Sequence, residues 1–167
     1  TLGLSVFYNC TALESIVLPD SITTIGAYAF YGCTNLRSVN YPMSWTKVNT
    51  SDGGNIFKGC AKLTSITVPE GVTAIPGYAF EDCNYLKTVI LPSTLTSIGA
   101  DAFSGCVALN DVNVPAGVTG LGNSAFYGCT GLTAITLPDG LTTLGLSVFY
   151  NCTALESIVL PDSITTI

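Results

Sequence analysis

The apolar residues of this chain recur at fixed intervals. In the stretch Leu63-Thr-Ser-Ile66-Thr-Val68-Pro69, Ile66 and Val68 alternate with polar neighbours and a proline closes the run. Such alternation predicts a short strand with one buried side, and Pro69 has no amide hydrogen with which to continue the pairing. Past the proline, a second apolar pair such as Val72 and Ile75 predicts another short extended piece on an opposite wall. The segment Gly99-Ala-Asp-Ala102-Phe103-Ser-Gly-Cys106 then predicts a tight helical or 3₁₀ turn, in which Phe and Cys, three apart, share a face.

This order returns along the whole chain. The cysteines fall at 10, 33, 60, 83, 106, 129 and 152, at spacings of 23, then 27, then 23 in every remaining case. Each stands three places after a phenylalanine and three before a leucine, and the pattern F-x-x-C-x-x-L-x-x-[IV]-x-[LVY]-P holds in every copy. One strand per coil, all pointing the same way, predicts a β-rich solenoid with a parallel sheet on one face. About seven 23-residue coils form a single array over positions 1–167. A lone coil cannot bury its own apolar side, so Phe, Cys, Leu and Ile of neighbouring coils must lie over one another as ladders.

The unit resembles the BspA-like leucine-rich repeats, also described as the Treponema pallidum type. Motifs such as Ile98-Gly-Ala-Asp-Ala-Phe-Ser-Gly-Cys106 and Leu109-Asn-Asp-Val-Asn-Val-Pro115 carry the resemblance, which covers essentially the whole chain. It implies a leucine-rich-repeat horseshoe or right-handed superhelix. It also implies surface or secreted proteins of host-associated bacteria and protists, linked to adhesion, matrix-protein binding and coaggregation. The family brings no catalytic residues to carry over.

Residues 1–25 are identical to residues 143–167. The shift between the two blocks corresponds to five of the shorter units and the one longer unit, so the identity implies a six-coil super-repeat. At ~4.8 Å between strands, six coils give an axial period of roughly 29 Å, less any curvature. A natural tandem array, an engineered permutation and a window onto a repeating fibre all fit this identity. Neither terminus carries the polar cap that finite solenoids need, which invites end-to-end stacking.

Composition narrows the function. Hydrophobic residues make up 48% and charged residues 10%, which does not suit a disordered chain. The net charge of −6 argues against nucleic acid as a partner, since phosphates need Lys and Arg. No apolar run is long enough to span a bilayer. Without any histidine, the usual Ser-His-Asp and Cys-His arrangements are absent, and the adjacent Glu81-Asp82 suits a solvated turn better than a catalytic pair. No cofactor is implied. The Cys column lacks the close C-x-x-C or His grouping of a zinc site. Disulfides between coils remain open, but in-register side chains fit their dihedral poorly. Buried reduced thiols acting as small hydrophobes fit best.

Two candidate contact regions follow, with proteins or the chain itself end to end as partners. The first is the outward side of the sheet: Thr64, Ser65, Thr67, Lys87, Thr88, Asn110, Asp111, Asn113, Thr133 and Thr136. The second is a bulge in the one longer unit. There Tyr41, Met43, Trp45 and Lys47 precede the polar insertion Asn49-Thr-Ser-Asp-Gly-Gly-Asn55. Trp45 falls in the core column of Val72, Leu95 and Val118, so it reads as packing or as an aromatic anchor. Asn49 also opens a glycosylation sequon, as do Asn9 and Asn151.

Overall fold

A computed structural model describes residues 1–40, 47–48 and 54–166. Two short strands alternate in each coil and build two walls. The first wall carries β1 (Ser15–Ile16), β3 (Ser38–Val39), β5 (Ser65–Thr67), β7 (Thr88–Ile90), β9 (Asp111–Asn113) and β11 (Ala134–Thr136). The second carries β2 (Thr24–Ile25), β4 (Lys47–Val48), β6 (Ala74–Ile75), β8 (Ser97–Ile98), β10 (Gly120–Leu121) and β12 (Thr143–Leu144). All pairing is parallel, with each residue opposite its equivalent one coil away, as Ile66 is opposite Val89 and Leu121 opposite Ile98 and Leu144.

Burial follows the alternation in the sequence. In β5, β7, β9 and β11 the central Ile or Val is buried and both neighbours are exposed. The proline that ends each strand opens a turn: the Pro69, Pro92, Pro115 and Pro138 carbonyls accept the amide three places on, at 3.0–3.4 Å. That turn aims Val72, Leu95, Val118 and Leu141 into the core. On the second wall the Thr73, Thr96, Thr119, Thr142 and Thr165 backbones are joined in sequence by amide-to-carbonyl bonds of 2.8–3.1 Å.

The corner that carries Phe and Cys differs from the expected helical or 3₁₀ turn. Two positions per coil have positive φ: one two places before the Phe (Tyr28, Tyr78, Asp101, Ser124), the other just before the Cys (Asn9, Gly32, Gly59, Asp82, Gly105). A helix cannot run through two left-handed residues. The amides divide their bonding instead. Those of Tyr78, Phe80 and Asp82 reach across to the carbonyls of Ala100, Ala102 and Ser104 in the next coil, at 2.8–2.9 Å. Those of Glu81 and Cys83 close short turns on Tyr78 and Phe80 within their own coil. The corner is therefore a third, irregular seam between coils.

The expected count of about seven coils also shortens. Among the described residues, paired strands define six coils, and beyond them isolated bridges join Leu2 to Ile25 and Thr143 to Thr166. Between the walls runs a single core. Phenylalanine rings 7, 30, 57, 80, 103, 126 and 149 stack in one column, with centroids 5.1–5.9 Å apart and planes within 12°. Offset stacking of this kind adds about 0.5–1.5 kcal/mol per pair beyond burial.

Candidate functional site

All ten residues singled out from the sequence as a contact face are exposed, and all lie on or beside first-wall strands. Register brings them into columns. Ser65 faces Thr88 and Asp111 faces Ala134, while Thr67 faces Ile90 and Asn113 faces Thr136. Lys87 donates its amide to the Thr64 carbonyl at 2.9 Å, and the Thr133 hydroxyl reaches the Asn110 carbonyl at 3.0 Å. These bonds hold the outward side chains in rows one coil apart.

The rows are less polar than the sequence-derived set. Ile90, Val17 and Val159 occupy the column of Thr67, Asn113 and Thr136, and expose 55%, 86% and 84% of their surface. Column membership alone carried that signal: whatever follows the buried Ile or Val by one place points outward. Glu14, Arg37 and Glu156 likewise extend the column of Thr64 and Lys87 and are exposed.

Backbone pairing along this wall is interrupted. Among the described residues β1 pairs with β3, β5 with β7 and β9 with β11, but β3 does not pair with β5, nor β7 with β9. In the first pair Asn40 substitutes its side chain for a backbone rung, accepting the Leu18 amide at 2.6 Å and donating to the Leu18 carbonyl at 2.8 Å. Where β3 and β5 separate, an open groove of about 320 Å³ lies over Val39, Asn40, Ile66, Thr67 and Pro69. The face is thus a shallow ridged surface with apolar points among hydroxyls and amides, suited to contact over area and not to enclosing a small molecule.

The corner seam presents a second surface. Tyr8 stacks on Tyr31 at 4.9 Å, and Tyr127 on Tyr150 at 5.1 Å, in the column just after the phenylalanines. Between them the column changes to Lys58, Glu81 and Ser104, with a Lys58–Glu81 ion pair and the Lys58 ammonium over the Tyr78 ring. The other candidate region falls outside what is described. Tyr41, Met43, Trp45 and Asn49 lie beyond the described residues, and Lys47 is placed only as backbone in β4.

The buried centre of the thiol column is chemically quiet. All seven cysteines are free. The thiols of Cys33, Cys60, Cys83, Cys106, Cys129 and Cys152 each donate to the carbonyl of the phenylalanine one coil back, at 3.0–3.2 Å. Burial pushes the pKa of Cys83, Cys106 and Cys129 up, the last to about 12, so these sulfurs stay protonated and weakly nucleophilic. Among the described residues no three or more His, Cys, Asp or Glu side chains gather as a metal site would require. Among the same residues no helix is long and apolar enough to cross a membrane.

Comparison with known proteins agrees with this geometry. The model of the BspA type leucine rich repeat region matches residues 1–52 and 50–167, in six copies. The T. pallidum leucine rich repeat protein TpLRR superposes with a TM-score of 0.74 at 31% identity, over 86% of this chain and 78% of that one. A leucine-rich repeat protein from Eubacterium ventriosum gives 0.74 at 27% identity, over 92% of this chain but only 40% of its own length. A protein of Faecalibacterium prausnitzii described as a leucine rich cell surface protein shares the fold, with a TM-score of 0.62 at 24% identity, over 99% and 72% of the two chains. Comparison with curated protein sequences gives no match. With its recurring coils, parallel walls and Phe–Cys corner, this chain belongs to the BspA-type leucine-rich repeat family.

Proposed function

We propose that the chain is a non-enzymatic repeat protein of the cell surface or extracellular space that holds a protein partner on its first-wall face and so mediates adhesion. The observation that carries the reading is the exposed set from Thr64 to Thr136, with Ile90 and Val17 standing among it. Exposed apolar side chains within a polar, mostly uncharged surface suit protein contact better than a bare solvated face. Repetition multiplies the effect, because weak contacts on successive coils act together. The surface location and the link to matrix proteins come from the family resemblance.

The test is binding of the purified chain to immobilised extracellular-matrix protein preparations by surface plasmon resonance. Lys87→Glu and Ile90→Asp alter exposed positions and should leave folding intact. Each should weaken binding tenfold or more, while Thr96→Lys on the second wall leaves it unchanged. Equal binding by all four proteins would remove the first-wall face from the account, and no binding to any preparation would remove adhesion to matrix.

A further inference from the structure

Charge is distributed unevenly along the solenoid. All five basic residues fall within positions 37–87, and the rest of the chain holds seven acidic residues and no basic one. Three of the five lie beside first-wall strands of successive coils. Arg37 and Lys87 are exposed one place before β3 and β7, and Lys62 stands two places before Thr64 of the same column. Lys62 is held in place: its ammonium donates to the Asn35 side-chain oxygen at 2.6 Å, and the Asn35 amide group donates to the Thr11 carbonyl at 2.7 Å. Arg37 and Lys87 meet no carboxylate, since the one ion pair among the described residues is Lys58–Glu81 on the corner seam. The wall turns acidic on either side of these coils, at the exposed Glu14 and Asp111. Cations that the chain does not neutralise itself suit a partner of opposite sign.

The groove between β3 and β5 lies inside this patch. Arg37 adjoins Ser38 at one lip; Lys87 is joined by its amide to Thr64, which adjoins Ser65 at the other. The floor is apolar, with Val39 and Ile66 below and Pro69 at the far end. Backbone bonding is incomplete at the cationic end. The amides of Arg37, Lys87 and Thr133 each donate to a carbonyl of the coil before, at 2.8–2.9 Å, but the equivalent amide of Thr64 has no backbone acceptor among the described residues. Two cations and an unbonded N–H therefore stand at one end of an apolar groove. At the other end Glu70 is already engaged, accepting the Ser93 amide and hydroxyl at 2.9 Å each.

We infer that this groove takes an acidic, extended segment of a protein partner. Its carboxylates lie against Arg37, Lys87 and the Thr64 amide, and an apolar side chain next to them enters the groove over Val39 and Ile66. The inference rests on the first wall being a protein-contact face and names the chemistry of what that face holds. At ~3.3 Å per extended residue, a groove as long as β5 holds about three residues of the segment. Glu70 sets the direction, because an acid at that end would face a like charge. A sulfated or phosphorylated polymer fits less well: it brings no apolar side chain for the floor, and its charge runs on over Glu14 and Asp111.

The probe is a fluorescein-labelled peptide of three aspartates, a leucine and three serines, titrated with the full chain at low salt and read by anisotropy. It should bind, and exchanging its aspartates for asparagine, or its leucine for serine, should each weaken binding at least about fivefold. Arg37→Gln and Lys87→Gln change exposed positions, and each should weaken binding about three- to tenfold. Lys58→Gln removes the same charge from the corner seam and should stay within about twofold of the native chain. Absence of binding at millimolar concentration overturns the inference, as does an equal loss with Lys58→Gln or indifference to the leucine. A heparin-derived oligosaccharide that displaces the probe at lower concentration than the unlabelled peptide overturns it too, and assigns the patch to sulfated glycans. Failure here leaves the contact face standing if Ile90→Asp, outside the groove, still weakens matrix binding. Peptide binding without matrix binding removes the matrix partner and keeps the groove.

Discussion

The thiol of Cys106 donates to the carbonyl oxygen of Phe80, 3.1 Å away and one coil back. The same oxygen accepts the Cys83 amide at 3.1 Å, so both its lone pairs are engaged, one within its coil and one between coils. This explains the cysteine at that position. The side chain must be small and apolar enough for a dry core, yet must carry a donor. Cys106→Ala removes the donor and leaves a small void. It should destabilise the chain by about 1–2 kcal/mol in urea titration. An effect within about 0.3 kcal/mol of zero would mean that the thiol acts only as filler.

The phenylalanine column makes a steeper prediction. Phe80 is buried between Phe57 at 5.5 Å and Phe103 at 5.3 Å. Phe80→Ala opens a cavity between two rings and should cost about 3–5 kcal/mol. Among the described residues Phe149 has a ring partner on one side only, and it is half-buried. The same truncation there should cost markedly less, and equal costs would contradict a stack in which each ring depends on both neighbours.

Glycines mark where coils approach most closely. A Cβ added at Gly122 would stand 2.4 Å from the Ala100 amide nitrogen, whereas one at Gly120 would meet nothing nearer than 3.9 Å. Gly122→Ala should therefore destabilise by about 1–3 kcal/mol through overpacking. Gly120→Ala should be neutral or stabilise by up to ~1 kcal/mol, because it restricts the unfolded chain. Melting temperatures of the two variants should move in opposite directions or by clearly different amounts.

Alkaline pH should weaken the fold through the same cysteines. Burial raises the thiol pKa of Cys83, Cys106 and Cys129, the last to about 12. In the unfolded chain a thiol ionises at about 8.5. Between these values the folded state holds protons that the unfolded state has released, so stability falls as pH rises. The stability Cys129 contributes is full below about pH 8.5 and is lost progressively toward pH 12. Melting temperature followed from pH 8 to pH 11 should drop more steeply in the native chain than in Cys106→Ala. Parallel slopes would show that Cys106 ionises as freely in the fold as outside it.

Much of this architecture was legible in the sequence because the core obeys one period. Phe, Cys, Leu and Ile recur once per coil, and a side chain that recurs with the coil must sit at one height in the stack. Exposure of the Thr64–Thr136 face followed from strand alternation, as did the burial of Ile66 and Val112. The corner was not legible in the same way. Its second left-handed column carries a signal, since Asn9, Gly32, Asp82 and Gly105 all tolerate that conformation. Its first column includes Tyr28 and Tyr78, which give no such hint, and there the tertiary seam dictates the backbone. The direction of the thiol bonds was hidden as well, because it depends on where the preceding coil's carbonyl points.

The central claim is that side chains at equivalent positions of successive coils lie over one another inside the solenoid. Nuclear Overhauser contacts between the ring protons of Phe80 and Phe103, each selectively labelled, test it directly. The stacked arrangement, with centroids 5.3 Å apart, predicts strong ring-to-ring cross-peaks for this pair and for Phe103 with Phe126, and none between Phe80 and Phe126. Rings that show no contact with their counterparts in the adjoining coils, or that exchange freely with solvent, would contradict it.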